Sequence, residues 1–442
     1  MSRYLPLFRL RNVPLLALST VYTTMSSATV APSDEVVDIP LLAVESSSMM
    51  LFGEGITTMQ FYEGKLTEAK EFLKGKLVEV ATANPWITST LVKDKQKHGA
   101  LLAMRHPKEI DEEYIIQRVF TQDDSVKLAE DMKYAAIMEV ISGSSAHVRN
   151  GYDLMKTGKA VCALTIVPTG DNRYCVIFSM SHIVGDGFTY YSILSMLSNE
   201  GRVFPMVVTR NESLRNSLPS EVGEREYQVM VNPSCMQIIN YIAVYATSKK
   251  VVPQCFFVDK EKLNDIKEKA KQEPNAAEFI SANDVITSGF GKTIDAEMLT
   301  MAMDFRGKLS GLTKEHAGCY HLGVLFGREG YESPNTIRNA LTSPAPYSRC
   351  KKLPGCCIYG NYTGVISNWS SLSKGGVAIP NATQTLHIPF IDLASMTTDC
   401  CVVFNAKPGK VAIMVSLQHG NIAKLKEEIP LSDEIVNEKM FG

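Results

Sequence analysis

The chain has 442 residues, of which 45% are hydrophobic and 21% charged. That length can bury large cores and suits two globular domains, and the composition excludes a disordered or fibrous protein. Its 45 Lys and Arg stand against 47 Asp and Glu, a net charge of −2 that leaves no overall electrostatic footprint for nucleic acid or an anionic membrane.

In chain order, residues 1–40 come first and differ in kind from the rest. Arg3, Arg9 and Arg11 meet no acid before Asp34, and Val13 to Tyr22 is a mostly apolar run too short to span a bilayer. Two readings stay open: a targeting peptide, or an unstructured leader with translation starting at Met25. The expected compartment is the cytoplasm or an organelle. No other stretch is long and apolar enough for a transmembrane helix. Structure is expected from about Leu41.

Helical periodicity spans Thr67 to Thr82, with Leu66, Ala69, Leu73, Leu77 and Val80 on one face. Strand-like runs follow at Ile87–Val92, Ala100–Met104 and Tyr114–Phe120, then a polar helix candidate from Asp123 to Met132. Residues 160–201 carry the most informative pattern. Tyr174 to Ser181 reads as a buried strand entered from a Gly170-Asp-Asn172 turn, and His182-Ile-Val-Gly-Asp186-Gly187 follows at once. Phe188, Tyr191, Leu194 and Leu197 then recur at helical spacing, up to Gly201. A strand end, one histidine, a tight turn and a helix present an imidazole at a sheet edge, where an acceptor hydroxyl or amine could reach it. A lone histidine after a strand also reads as a satisfied structural side chain, so the pattern needs context.

Thr209 to Glu226 is polar and irregular, and a helix is expected over Ser234 to Lys249. The second half then offers strand Pro253–Val258, helices Lys260–Gln272 and Ala282–Lys292, and strands Leu299–Asp304, Gly318–Phe326 and Gly364–Ser367. A late pair, Cys400–Phe404 and Lys410–Leu417, turns through Lys407-Pro-Gly409. Lys249-Lys250 and Lys267 to Lys271 read as solvated helix faces, and Met298–Met303 as core. Val411 to Gly420 faintly echoes the strand running into His182, ending in His419, but Ala423 stands where the first copy has Asp186. One active site is therefore expected, not two.

The ten cysteines include no C-x-x-C pair, and the adjacent pairs Cys356-Cys357 and Cys400-Cys401 suit neither a zinc site nor a compact disulfide framework. Cys162 and Cys175 read as small core residues in a reducing compartment. The eight histidines show no metal-ligand spacing, and no phosphate loop or dinucleotide fingerprint occurs.

The segment Leu164 to Phe188 resembles the chloramphenicol-acetyltransferase-like superfamily of HxxxD acyltransferases. That group includes BAHD-type acyltransferases, alcohol acetyltransferases, wax ester synthases and the condensation domains of peptide synthetases. The resemblance continues through Ile280-Ser-Ala-Asn-Asp-Val-Ile286, Asp304-Phe-Arg306, Gly318-Cys-Tyr-His-Leu-Gly323 and Ile366-Ser-Asn-Trp369. With the helix from Thr67 to Thr82 and Asn84-Pro-Trp86, it spans most of residues 50–420. The Asp-Phe-Gly-Trp-Gly signature of plant BAHD enzymes is absent, which points to a divergent branch and puts plant-type substrates in doubt.

The resemblance implies an α/β (α+β) fold of two similar domains, each a mixed β-sheet flanked by helices, with a channel between them. Residues 41–208 and 253–442 would be those domains, joined by a connector and helix over 209–252. It implies a monomer with no bound cofactor, acyl-CoA as cosubstrate and a small alcohol or amine as acceptor, the acyl group passing directly without an acyl-enzyme. His182 would be the general base. Asp186 would be structural, orienting the loop through a bidentate ion pair with Arg306, while Gly185 and Gly187 leave room for the turn. Ser367 is the candidate oxyanion donor and Asn368 the runner-up, with Trp369 as a channel wall. Ser281, Asn283 and Asp284 have two readings, contact with the donor's carrier arm or a helix N-cap, of which the cap is the simpler. A freestanding condensation-type enzyme fed by a carrier protein, and an inactive ligand-binding homologue, are the alternatives.

Overall fold

The computed structural model describes residues 35–94, 101–210, 212, 216–231, 234–247, 251–353, 363–373, 376–393, 396 and 398–442. Nearly all of the basic leader, and the Cys356-Cys357 pair, lie outside them. The first half runs β1 (Val36–Pro40), β2 (Ile56–Glu63), α1 (Leu66–Ala83), β3 (Thr90–Lys93), β4 (Leu102–Pro107), α2 (Glu112–Val119) and β5 (Phe120–Gln122). It continues through α3 (Tyr134–Ser142), β6 (Cys162–Gly170), β7 (Arg173–Met180) and α4 (Gly187–Met196). Helices α5 (Glu224–Val231) and α6 (Cys235–Thr247) connect the halves.

The second half begins with β8 (Gln254–Val258), α7 (Lys260–Ala270), α8 (Ala282–Ile294), β9 (Met298–Asp304), β10 (His321–Phe326) and α9 (Pro334–Thr342). It ends with β11 (Thr363–Asn368), β12 (Thr383–Phe390), β13 (Asp399–Lys407), β14 (Lys410–Ser416), α10 (Ile422–Glu428) and β15 (Leu431–Ile435). Two sheets dominate, ordered β12-β2-β7-β6-β5 and β10-β9-β11-β13-β14-β8-β15. A smaller sheet, β1-β4-β3, flanks the first half.

Strand β7 shows why these residues choose this place. Every residue from Tyr174 to Met180 is buried, because both faces of the strand are covered, so its sequence is continuously apolar rather than alternating. Tyr174, Val176, Phe178 and Met180 pack with Leu73, Leu77 and Val80 of α1. Cys175 and Ile177, on the opposite face, join Phe257, Val402, Phe404 and Met414 of the second-half sheet. The two large sheets thus share a core. On the outer face of the second, Ile286, Phe290 and Ile294 of α8 cover Met301, Ile366 and Val403.

Four expectations need correction. The run Tyr114–Phe120 is not a strand: α2 covers it, because Asp111 accepts from Tyr114 N–H at 2.7 Å, Glu112 and Glu113 occupy the first turn, and only Ile115 and Val119, one turn apart, are buried. The span from Asp123 to Met132 is not helical, since the Asp123 carboxylate accepts from both the backbone and the hydroxyl of Ser125 and favours a turn. The helix begins at Tyr134 instead and buries Tyr134, Ile137 and Ile141. Finally, order begins ahead of Leu41: β1 pairs antiparallel with β4 from Val36 to Pro40. Ile87–Val92 divides into a short 3-10 helix, Pro85–Thr88, and β3.

Candidate active site

The geometry starts where β7 ends. His182 leaves the strand, and Asp186 caps α4, its Oδ1 accepting from Thr189 N–H at 3.0 Å. The turn between them is crowded at Gly185, where a Cβ would lie 2.7 Å from Thr189 Cβ and 3.1 Å from Met180 Cε. Gly187 has more room, its nearest neighbour being a Leu372 methyl at 3.4 Å from a built Cβ. The glycine the turn requires for space is therefore Gly185.

Two buried ion pairs from elsewhere in the chain hold this loop. Arg306, at the end of β9, donates from Nη1 to Asp186 Oδ2 at 2.8 Å and from Nη2 to Asp186 Oδ1 at 3.1 Å, the parallel fork that a guanidinium offers a carboxylate. Its remaining hydrogens reach His316 O, Gly318 O and Asp304, and its plane lies over the rings of Phe188 and Tyr320. Asp186 also accepts from Tyr320 N–H at 2.9 Å. Burial opposes ionisation of Asp186, but Arg306, and after it His321, outweigh burial and hold the carboxyl far below the usual carboxylate range. Its acceptor capacity is consumed by this network.

The second pair is Glu45 with Arg210, 3.1 Å apart and both buried. Arg210 donates to Val184 O at 2.7 Å, and Glu45 accepts from Cys319 N–H at 2.8 Å. No sequence motif marks these two residues. Together the pairs bolt the segment Ala317 to His321 of the second half onto the histidine loop of the first.

His182 itself is half-buried. Burial, reinforced by the nearby His321 ring, pushes its imidazole down to about 4, while a hydrogen bond to its own carbonyl works the other way. At neutral pH the ring is therefore uncharged and able to accept a proton. Cys319 Sγ donates to the same carbonyl at 3.0 Å and lies 3.9 Å from Nδ1, so Nδ1 is on the carbonyl side. An Nδ1–H directed at that carbonyl would leave the lone pair of the neutral ring on Nε2. The His321 ring stands 5.5 Å from that of His182, centroid to centroid, with its Nδ1 3.8 Å from Asp186 Oδ2. His321 belongs to the Gly318 to Gly323 segment, but nothing in the sequence says that it faces His182.

Ser367 and Asn368 close β11, and the Trp369 ring just beyond it meets Tyr191 of α4 at 6.0 Å. Ser367 Oγ accepts from Trp369 Nε1–H at 2.9 Å, which leaves its O–H able to donate. Asn368 Nδ2 donates to Asn283 Oδ1 at 3.0 Å, joining β11 to α8. Ser281 and Asp284 form a reciprocal capping box at the start of α8 and are gripped by Arg338, which reaches both. His419 follows β14 as His182 follows β7, and its Nδ1 lies 3.0 Å from the buried Asp399. Among the described residues, no group of three His, Cys, Asp or Glu side chains is placed to hold a metal ion, and no helix is long and apolar enough to cross a membrane.

No family profile and no curated protein sequence matches the chain. Solved structures do. TRI101 of F. graminearum, complexed with coenzyme A and deoxynivalenol, superposes with a TM-score of 0.55 at 12% identity, covering 88% of this chain and 97% of its own. Vinorine synthase gives 0.58 at 10% identity, over 91% of this chain and 96% of its own. The first condensation domain of the CDA synthetase gives 0.51 at 12% identity, over 86% and 88%. At such identities the likeness speaks to architecture: the chain has the chloramphenicol-acetyltransferase-like α/β fold that these proteins share.

Proposed function

We propose that the protein is an acyltransferase that moves an acyl group from an acyl-CoA thioester to an alcohol or amine. The observation that carries this reading is His182: an imidazole uncharged at neutral pH, at a strand end, on a loop held by the buried Asp186–Arg306 pair. Nε2 takes the proton from the acceptor's O–H or N–H as its heteroatom attacks the thioester carbonyl. Collapse of the tetrahedral intermediate breaks the C–S bond, and the thiolate leaves with the proton carried by His182. In this reading the Ser367 hydroxyl, whose oxygen accepts from Trp369 Nε1–H, donates to the oxyanion. Asp186 and Arg306 are positioning residues, and Asn283, Asn368 and Trp369 shape the wall beside β11. The fold likeness to TRI101 bound to coenzyme A supports CoA as the thiol, and the likeness to a condensation domain supports the second reading, a carrier-protein thioester.

The test is thiol release by purified protein with a panel of acyl-CoA donors and mixed alcohol and amine acceptors. Acceptor-dependent release is expected, falling by about 100-fold or more in His182→Ala. Release that persists at full rate in the variant removes His182 as base. Activity confined to carrier-bound thioesters moves the donor to the second reading.

A further inference from the structure

Cys319 is held from three directions. Three successive backbone N–H groups donate to three buried side chains: Gly318 to Thr189 Oγ1 at 3.1 Å, Cys319 to Glu45 Oε1 at 2.8 Å, and Tyr320 to Asp186 Oδ2 at 2.9 Å. Thr189 and Asp186 belong to α4 and its cap, and Glu45 to the segment after β1. Gly318 O accepts from Arg306 Nη2 at 2.8 Å and from Asp186 N–H at 3.2 Å, while Phe305 N–H donates to Tyr320 O at 3.0 Å. A backbone pinned at this many points fixes where its side chains stand.

The side chain so fixed is not a core filler. Among the described residues, the other buried cysteines, Cys162, Cys175, Cys255, Cys400 and Cys401, pack in hydrophobic cores. Cys319 is equally buried but sits outside those cores, its Sγ against His182. The thiol donates to His182 O at 3.0 Å and lies 3.9 Å from Nδ1. A carbonyl oxygen has two lone pairs, so it can take the thiol and an Nδ1–H together. Sulfur is also a weak donor on a small apolar body, which covers the Nδ1 edge without displacing that bond. His321, two residues on in the same extended segment, lies on the same side of it and meets the same ring.

We propose that Cys319 is a positioning residue for His182: its thiol backs the Nδ1 edge of the ring and leaves the Nε2 edge to the acceptor substrate. Glu45, with Arg210 behind it, holds Cys319 at that distance. The assignment rests on His182 being the base of the proposed reaction, so the first test is made without turnover.

That test is an NMR titration of the His182 ring in the full chain carrying isotope-labelled histidine, with the signal assigned by His182→Gln. Cys319→Ala opens the Nδ1 edge to water, and its ring should titrate about one pH unit above the wild-type ring, which titrates at about 4. Cys319→Ser keeps a donor of similar size and should stay close to the wild type. Rings that titrate alike in all three proteins overturn the inference. In thiol release, Cys319→Ala should lower kcat about tenfold at unchanged KM and carry the acid limb upward, with Cys319→Ser recovering most of the rate. A kcat for Cys319→Ala within about twofold of wild type, with the limb unmoved, also overturns it. So does complete loss of release in Cys319→Ser with an acyl group found on Cys319 by mass spectrometry, which would make the thiol a nucleophile. A shifted titration in a protein that releases no thiol would support the contact and remove the acyltransferase reading instead.

Discussion

His182 and His387 are both buried enough to lower their ring pKa to about 4, in each case chiefly by burial, against an ordinary value of about 6.5. In the unfolded chain both rings take a proton as the pH falls through about 6.5, whereas in the folded chain they resist until about 4. Stability from this source is complete above about pH 6.5 and declines as the pH falls toward 4. Urea midpoints measured across that window should therefore drop, and His387→Gln should flatten the slope. The same shift places the acid limb of kcat/KM near pH 4, and removing the His321 ring by His321→Ala should move that limb upward. A limb at about 6.5 in the wild type would contradict the environment described for His182. The Asp186–Arg306 pair is a different case: both side chains are buried, so losing one partner leaves an uncompensated charge. Arg306→Met is expected to cost roughly 3–5 kcal/mol, read from denaturant unfolding, and Arg306→Lys to recover only part, since a lysine lacks the fork.

At the scale of elements, the turn before α4 is set by contact rather than by backbone conformation. Gly185→Ala drives a methyl into Thr189 and Met180, with an expected loss of about 1–3 kcal/mol. Gly187→Ala, facing only Leu372, should cost clearly less, and the comparison of two urea midpoints decides it. The start of α8 separates two roles in the same way. Ser281 and Asp284 are bonded to each other and to Arg338, so Ser281→Ala should lower stability by about 1 kcal/mol and leave the KM for an acyl-CoA donor unchanged. A raised KM with unchanged stability would return Ser281 to the donor's carrier arm. Helix α2 carries the lesson about reading elements: Tyr-Ile-Ile beside Val and Phe looks like a strand, yet the acids and the Asp111 cap ahead of it set a helix.

For the molecule as a whole, the decisive exchange is β12. It comes from the second half but pairs antiparallel with β2 from Thr383 to Phe390, completing the edge of the first-half sheet. Ile388 and Leu386 of that strand enter the core between the two sheets. The halves are therefore joined by hydrogen bonds, a shared core and two buried ion pairs, and one cooperative unfolding transition is expected. Trp86 lies in the core under α1, and Trp369 touches both that core and the intersheet one, so tryptophan fluorescence and circular dichroism should report the same midpoint. A fragment of residues 35–208 should aggregate, since it exposes the β2 edge that β12 covers.

Periodicity and turn chemistry are local, and so the sequence by itself determined α1, the β6–β7 hairpin, the His182 to Asp186 turn with its helix, and the β13–β14 pair. The ordered segments ending at Arg306 and Trp369 pointed to the fold for the same reason, each being a short, self-contained pattern. What faces His182 was decided only in three dimensions. His321, Cys319, Glu45 and Arg210 come from segments far apart in the chain, and no local signal encodes that they meet. The partner of β2 was likewise invisible, because strand pairing depends on register and burial across more than three hundred residues.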